Sequence, residues 1–360
     1  MKLQHIEIQN VRNLTRIILK PSEKVNIIYG NNASGKTSFL EALHLLSYGK
    51  SFRTRHLSKI VATGAEQLII NGKLSSSDKS DIPIGIAYQN KCFKIRVAGQ
   101  TLKKTSELAQ YLPLTVIHQD SYRLLTDGPR FRKQFLDRGV FHVEQTFLSI
   151  WNRYRRALKQ RNSSLQNRQT LKMVAIWNSE LSETAKQLHY LRHQYIEDFL
   201  PVFQVHSTRL LGIDETLCIK YHAGWPVEQD YCEMLEEGFE RDKAVAYTRK
   251  GPHRADLDFR VKGVPVHEYF SRGQQKLLVS ALMVAQADIY RQRKGSSGLL
   301  LIDDLDAELD NKHVSIFLEM INEIEAQVFV TTTDKGLLGD HKINDSKLFH
   351  VEHGSIEEVL

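Results

Sequence analysis

Eight consecutive residues, Gly30-Asn31-Asn32-Ala33-Ser34-Gly35-Lys36-Thr37, match the pattern G-x-x-x-x-G-K-[ST] without a mismatch. That spacing serves one chemistry. Backbone N–H groups of such a loop, with the N-terminus of the helix that follows, surround a β-phosphate. Lys36 reaches the β- and γ-oxygens, Thr37 offers a hydroxyl to Mg²⁺, and Ser38, next in the first helical turn, is expected to bind the nucleotide with them. The two glycines permit backbone angles and approaches that a Cβ would block. A chance turn before a helix is the bland alternative, and the flanks argue against it. The apolar run Val25-Asn26-Ile27-Ile28-Tyr29 precedes the loop, and Phe39, Leu40, Leu43 and Leu46 follow it at helical spacing. ATP and Mg²⁺ are the expected cofactors.

A second element supplies the acid. Leu299-Leu300-Leu301-Ile302-Asp303-Asp304 reads as a buried parallel strand ending in two carboxylates, at the end where ligands sit in such sheets. Asp303 is expected to hold Mg²⁺, and Asp304 to orient the attacking water. Phe270-Ser271-Arg272-Gly273-Gln274-Gln275 stands before a helical stretch, which Ser271 can cap. Alone it is a plain N-cap turn. Ahead of the acidic strand it resembles the Leu-Ser-Gly-Gly-Gln signature of ABC ATPases. In that class the signature faces the γ-phosphate held by the other subunit, so Ser271, Arg272, Gly273 and Gln274 are expected to act across a head-to-tail dimer. Ala307-Glu308-Leu309-Asp310 takes the place of the D-loop at the same interface. Thr331-Thr332-Thr333 stands where ABC transporters usually carry a sensing histidine.

These residues need a scaffold that brings the two ends of the chain together. Residues 1–50 read strand, strand, loop, helix. Residues 66–100 alternate as an antiparallel sheet. From about 130 to 200 the texture is Leu-, Gln- and Arg-rich with one glycine, Gly139, and reads as long helices. Residues 214–262 return to strand and loop. A helix over 267–294, the Leu299–Asp304 strand, a helix over 312–324 and a further strand follow. The expected fold is α/β: an ABC-type P-loop ATPase lobe, with a mixed sheet and an antiparallel β subdomain, formed by 1–118 and 250–360. A mainly helical lobe, 119–249, is inserted into it.

The 360 residues carry a net charge of +7 and 25% charged residues. No apolar run approaches the roughly 18 residues of a membrane span, and the N-terminus lacks the apolar core of a signal peptide. The three cysteines are far apart and suggest neither disulfides nor a zinc site, in keeping with a reducing cytosol. Between Trp151 and Tyr195 nine Lys/Arg face two acids, a local excess that suits a polyphosphate backbone or a solvated helix face. His189 and His193, at i and i+4, lack the glutamate of a metalloprotease motif and are expected to pack or be solvated. Trp151, Tyr154 and Trp177 are expected in a helix–helix core more than in base stacking.

Taken in order along the chain, the motifs resemble the RecF family, recombination and gap-repair members of the SMC/Rad50-like ATPases. The resemblance is carried by Asn10-Val11-Arg12-Asn13-Leu14, Gly49-Lys50-Ser51-Phe52-Arg53, Asp127-Gly128-Pro129 with Phe135-Leu136-Asp137, and Gly251-Pro252-His253-Arg254. Ser271-Arg272-Gly273-Gln274 and Asp303-Asp304 through Asp310 complete it. It implies ATP-driven dimerisation, a closed dimer on double-stranded or gapped DNA, with single-stranded DNA open, and help in loading RecA with RecO and RecR. It also implies weak, DNA-dependent hydrolysis of ATP and a cytoplasmic, nucleoid-associated protein. Arg12 is expected near the nucleotide phosphates, and Gln119 as a glutamine-loop contact to Mg²⁺. Asp304 is one methylene shorter than the glutamate usual there, so slow hydrolysis is expected. The competing reading is the ATP-binding subunit of a membrane transporter. A nuclease with an ABC-type head is disfavoured by the lack of a further acidic cluster.

Overall fold

The computed structural model describes residues 2–75, 81–213, 216–335 and 345–359. In chain order the strands are β1 (Lys2–Val11), β2 (Leu14–Leu19), β3 (Val25–Tyr29), β4 (Gln67–Ser75), β5 (Asp81–Gln89), β6 (Cys92–Val97), β7 (Gln100–Thr101) and β8 (Leu114–Ile117). They continue with β9 (Leu217–His222), β10 (Asp256–Val261), β11 (Val264–Pro265), β12 (Leu299–Ile302), β13 (Gln327–Thr332), β14 (Ser346–Glu352) and β15 (Ser355–Val359). The longer helices are α1 (Lys36–Tyr48), α2 (Pro129–Val143), α3 (Phe147–Gln166), α4 (Asn178–Leu211), α5 (Arg272–Lys294) and α6 (Asn311–Glu323).

Two compact units result, one of residues 1–121, 206–212 and 272–360, the other of 122–205 and 213–271. The first holds two six-stranded sheets. One runs β2-β1-β4-β5-β6-β7 and is antiparallel, as the alternation over 66–100 implies. The other runs β15-β14-β3-β13-β12-β8, parallel except for β15. Its strands β12 and β13 are buried along their whole length, which is why β12 and the Val328-Phe329-Val330 centre of β13 are continuous apolar runs rather than alternating ones. Helix α1 shares one core with both sheets. Phe39, Leu43 and Leu46 pack with Ile6, Ile70 and Ile86 of the antiparallel sheet and with Leu301 and Phe329 of the parallel one. The Phe39 and Phe329 rings lie 6.0 Å apart.

The second unit is built on α2, α3 and most of α4, with a three-stranded sheet β11-β10-β9. The N-terminal segment carries three strands before α1 where two were expected. Residues 214–262 hold two helices besides strands, Tyr231–Glu237 and Phe239–Val245. Each is only two turns long, too short for its periodicity to stand out. The Asp230 carboxylate starts the first by accepting from the amides of Cys232 and Glu233. The helix expected over 267–294 is broken: Val266–Tyr269 forms one turn, Phe270 is extended (φ −94°, ψ 141°), and α5 begins at Arg272. The change-overs between units, expected at 118/119 and 249/250, fall elsewhere. Strand β10 pairs along its length with β9, so 256–261 stays with the inserted unit. The end of α4 rejoins the first unit, where His206 meets Asp288 at 3.0 Å and Arg209 meets Glu323 at 2.6 Å.

Candidate functional site

The strand order sets the site. β3 and β12 are parallel neighbours of β13 on either side, and β8 lies beyond β12. The 30–37 loop, Asp303-Asp304, the end of β13 and Gln119 therefore leave the same edge of one sheet. This is the edge at which ligands gather in open parallel sheets.

The loop needs its glycines at close quarters. A Cβ on Gly30 would come within 2.3 Å of the Val351 carbonyl oxygen, and Gly35 has φ 127°. Asn31, Asn32 and Ala33 are exposed at the tip, and Ala33 adopts φ 65°. Lys36 is buried, and its ammonium donates to the carbonyls of Gly30 (2.8 Å) and Asn31 (3.2 Å). A buried cation hydrogen-bonded to neutral carbonyls suits an anionic partner. The hydroxyl of Ser34 is buried with no hydrogen-bond partner among the described residues, so the loop has unused capacity facing inward.

Asp303 joins two hydroxyls. Thr37 Oγ1 donates to its Oδ1 at 3.0 Å and Thr331 Oγ1 to the same atom at 2.9 Å. Burial raises the Asp303 pKa and Asp304 raises it further, while the bonds from Thr331 and Thr37 and the charge of Arg53 oppose this. Burial also raises the pKa of Asp304, against the pull of Lys36. Asp304 sits at φ 52°, ψ 62°, a left-handed conformation for a residue with a Cβ. Its amide donates to Thr331 Oγ1 at 2.8 Å. Thr331 is thus a bridge between the two strand-end aspartates. Thr333 bonds to Asp306 through its hydroxyl and its amide.

Of the remaining expected residues, Arg12 turns onto α1. Its guanidinium makes two bonds to the fully buried Glu41, at 2.8 and 3.0 Å, and one to the Lys59 carbonyl. Gln119 is exposed at the start of the short turn after β8. Arg272 and Gly273 are exposed at the start of α5, directly after the exposed Ser271, and Gln274 is partly exposed. One turn on, Lys276 Nζ donates to the Ala307 carbonyl at 2.6 Å and lies 3.6 Å from Glu308. Helix α5 is thereby tied to the 307–308 segment. Asp310 caps α6, accepting from the amide of His313 at 3.0 Å.

Residues not singled out from sequence complete the site. Asn13, in the β1–β2 turn, donates to the carbonyls of Ala33 (3.2 Å) and Ser34 (3.0 Å) and accepts from Ser38 Oγ at 2.9 Å. Gly354, in the β14–β15 turn, donates to the Ser34 carbonyl at 3.3 Å. Asn13 lay within a quoted motif, but nothing local to it says that it holds the phosphate loop. In the inserted unit, the half-buried His189 packs against Tyr221 and Trp225, and Tyr154 is fully buried.

The model of the RecF/RecN/SMC N terminal domain matches residues 2–357. The DNA replication and repair protein RecF of Vibrio atlanticus (strain LGP32) is 38% identical over 359 residues, covering 99% of this chain and 100% of that protein. RecF of Pseudomonas aeruginosa (strain LESB58) is 38% identical over 363 residues, covering 100% and 98%. This chain belongs to the RecF family. A solved structure of the recombination mediator protein RecF with ATP, in the RecFOR pathway, superposes with a TM-score of 0.88 at 26% identity, covering 100% of this chain and 98% of that one. An Smc head bound to the C-terminal winged-helix domain of ScpA gives 0.63 at 15% identity, covering 100% and 97%, and shares the fold. The transporter-subunit reading is not favoured, since the RecF likeness runs end to end. Among the described residues no helix is long and apolar enough to cross a membrane, and no group of three or more His, Cys, Asp or Glu could hold a further metal ion.

Proposed function

We propose that this chain is an ATP-dependent DNA-binding protein of recombinational repair. Two copies close head to tail on two ATP molecules, the closed dimer holds duplex or gapped DNA, and it helps load RecA together with RecO and RecR. Slow, DNA-stimulated hydrolysis opens it. The single observation that carries this reading is the arrangement within one unit. A phosphate loop and an acidic strand end share a sheet edge, while Arg272 and Gly273 of the signature segment stand exposed at the head of α5.

The residues fit a magnesium nucleotide. The backbone amides of the exposed residues Asn31, Asn32 and Ala33 and the ammonium of Lys36 receive phosphate oxygens. Thr37 and Asp303, already 3.0 Å apart, hold Mg²⁺, which when bound neutralises charge developing on the phosphates. Gln119 approaches it from the neighbouring strand. Asp304 positions the attacking water. Ser271, Arg272, Gly273, Gln274 and Asp310 contribute across the interface. Arg12, through Glu41, stiffens α1 beside the nucleotide.

The test is sedimentation of the wild type and Lys36→Arg with and without Mg-ATP, with labelled duplex DNA present. ATP-dependent dimerisation, DNA travelling with the dimer and impairment of Lys36→Arg are expected. A chain that stays monomeric with ATP bound refutes the sandwich. The slow-hydrolysis part rests on the short reach of Asp304. A turnover as fast as a transporter ATPase would overturn it.

A further inference from the structure

Four of the nine cations in residues 151–195 are neutralised inside the fold. Arg153 makes two bonds to Glu180 and one to Glu183. Arg161 lies 2.7 Å from Asp242, Lys186 3.0 Å from Asp230 and Arg192 2.7 Å from Asp137. These cations pair with acids distant in sequence, and Arg161 and Arg192 are fully buried.

Tertiary structure gathers a different group. Arg130 and Lys133 stand in the first turns of α2, three residues apart, and Arg254 belongs to the Gly251–Arg254 turn. Lys133 Nζ donates to the His253 carbonyl at 2.7 Å, which places it beside Arg254. Trp151 lies between two cations, with Lys133 Nζ 5.9 Å and the Arg192 guanidinium 5.5 Å from its ring centroid. Arg254 is steadied over the Tyr247 ring at 5.3 Å. The turn itself is pinned. Arg192 donates to the Pro252 carbonyl at 2.9 Å, Tyr231 to the Lys250 carbonyl at 2.8 Å, and His253 bonds Tyr154 on one side and the Thr248 carbonyl on the other.

This arrangement is unfavourable in isolation. Burial lowers the pKa of Lys133, and Arg192, Arg254 and Arg130 lower it further, with Asp137 alone opposing them. Asp137 is already engaged by Arg192. Helix α2 has no acid in its first turn and no side-chain cap, so Arg130 and Lys133 face the positive end of its dipole. Arg130 and Arg254 are exposed, and neither has a carboxylate in ion-pair reach among the described residues. Like charges held together without a counter-charge are stabilised by a polyanion.

We infer that Arg130, Lys133 and Arg254 form the surface on which the inserted unit holds the phosphate backbone of DNA. The inference rests on the DNA-binding reading above. The experiment measures binding of the full chain with Mg-ATP to a labelled duplex from 50 to 200 mM salt. Arg130→Gln/Arg254→Gln removes two exposed cations. Arg155→Gln/Arg156→Gln removes the same charge from exposed positions on α3. The slope of log affinity against log salt is expected to become shallower by about 2 in the first variant and to change by less than about half of that in the second. Arg130→Lys/Arg254→Lys, which keeps the charge, should restore most of it. Equal slopes in the two Gln variants, or an unchanged slope in the first, overturn the inference while leaving the DNA-binding reading intact. Loss of ATP-dependent dimerisation in the first variant assigns the residues to the subunit interface and also overturns it. A wild type that binds no DNA removes the functional reading itself.

Discussion

Thr331→Val keeps nearly the same shape and deletes one hydroxyl that is fully buried and makes two bonds, to the Asp303 carboxylate at 2.9 Å and from the Asp304 amide at 2.8 Å. A bond to a charged group contributes about 1.5–3 kcal/mol, and a buried amide left without a partner costs about 1–3 kcal/mol. Asp303 keeps Thr37, so the total falls near 3 kcal/mol. For a unit of this size that lowers the melting temperature by about 6–12 °C. The larger consequence is kinetic. Asp304 is held in its left-handed conformation in part by the Thr331 bond, at a strain of about 1–3 kcal/mol. Without that bond the backbone relaxes and the carboxylate leaves its place. Turnover with saturating Mg-ATP should fall at least about tenfold, equivalent to 1.4 kcal/mol, with KM nearly unchanged because the phosphate loop is untouched. Thr331→Ser retains the hydroxyl and should recover both properties. A Thr331→Val protein that melts within a degree or two of wild type and keeps its turnover refutes the bridge.

Three other outcomes follow from the geometry. Arg161→Met should destabilise the inserted unit by about 3–5 kcal/mol in a denaturant titration, because it leaves Asp242 buried without its cation. Gly354→Ala should lower both ATP affinity and melting temperature. The position has φ +77°, and the new Cβ would come within 2.1 Å of the Asn13 carbonyl oxygen, a combination worth more than about 2 kcal/mol. His253 is held neutral by burial, its pKa lowered to about 4 from 6.5. Between those values the unfolded chain takes up a proton that the native one refuses. Stability is therefore complete above pH 6.5 and lost as pH falls toward 4, by up to about 3 kcal/mol. Melting curves at pH 7 and pH 4.5 should show a smaller difference for His253→Gln than for wild type.

Much of the site was legible because its chemistry is written in contiguous residues. The 30–37 loop declares itself by glycine spacing between an apolar strand and a periodic helix, and Asp303-Asp304 by closing a run of four buried aliphatics. Both periodicities are local, so α1, β12 and the antiparallel strands of 66–100 could be read directly. The helices Tyr231–Glu237 and Phe239–Val245 could not. Two turns give too few repeats, and their burial depends on neighbours from other parts of the chain.

Asn13 and Gly354 were invisible as site residues for another reason, and so was the bridging role of Thr331. Each acts through hydrogen bonds to atoms that sequence places far away, and an Asn, a Thr or a Gly in a turn or strand end carries no mark of its partner. The charges show the same division. Residue types alone determined that this chain carries a phosphate loop, an acidic strand end and an excess of cations. Which cations are buried against Asp137 and Asp242, and which, like Arg130 and Arg254, have no carboxylate in reach among the described residues, was decided only by tertiary packing. A charge has no fixed neighbour until the fold brings one within a few ångströms.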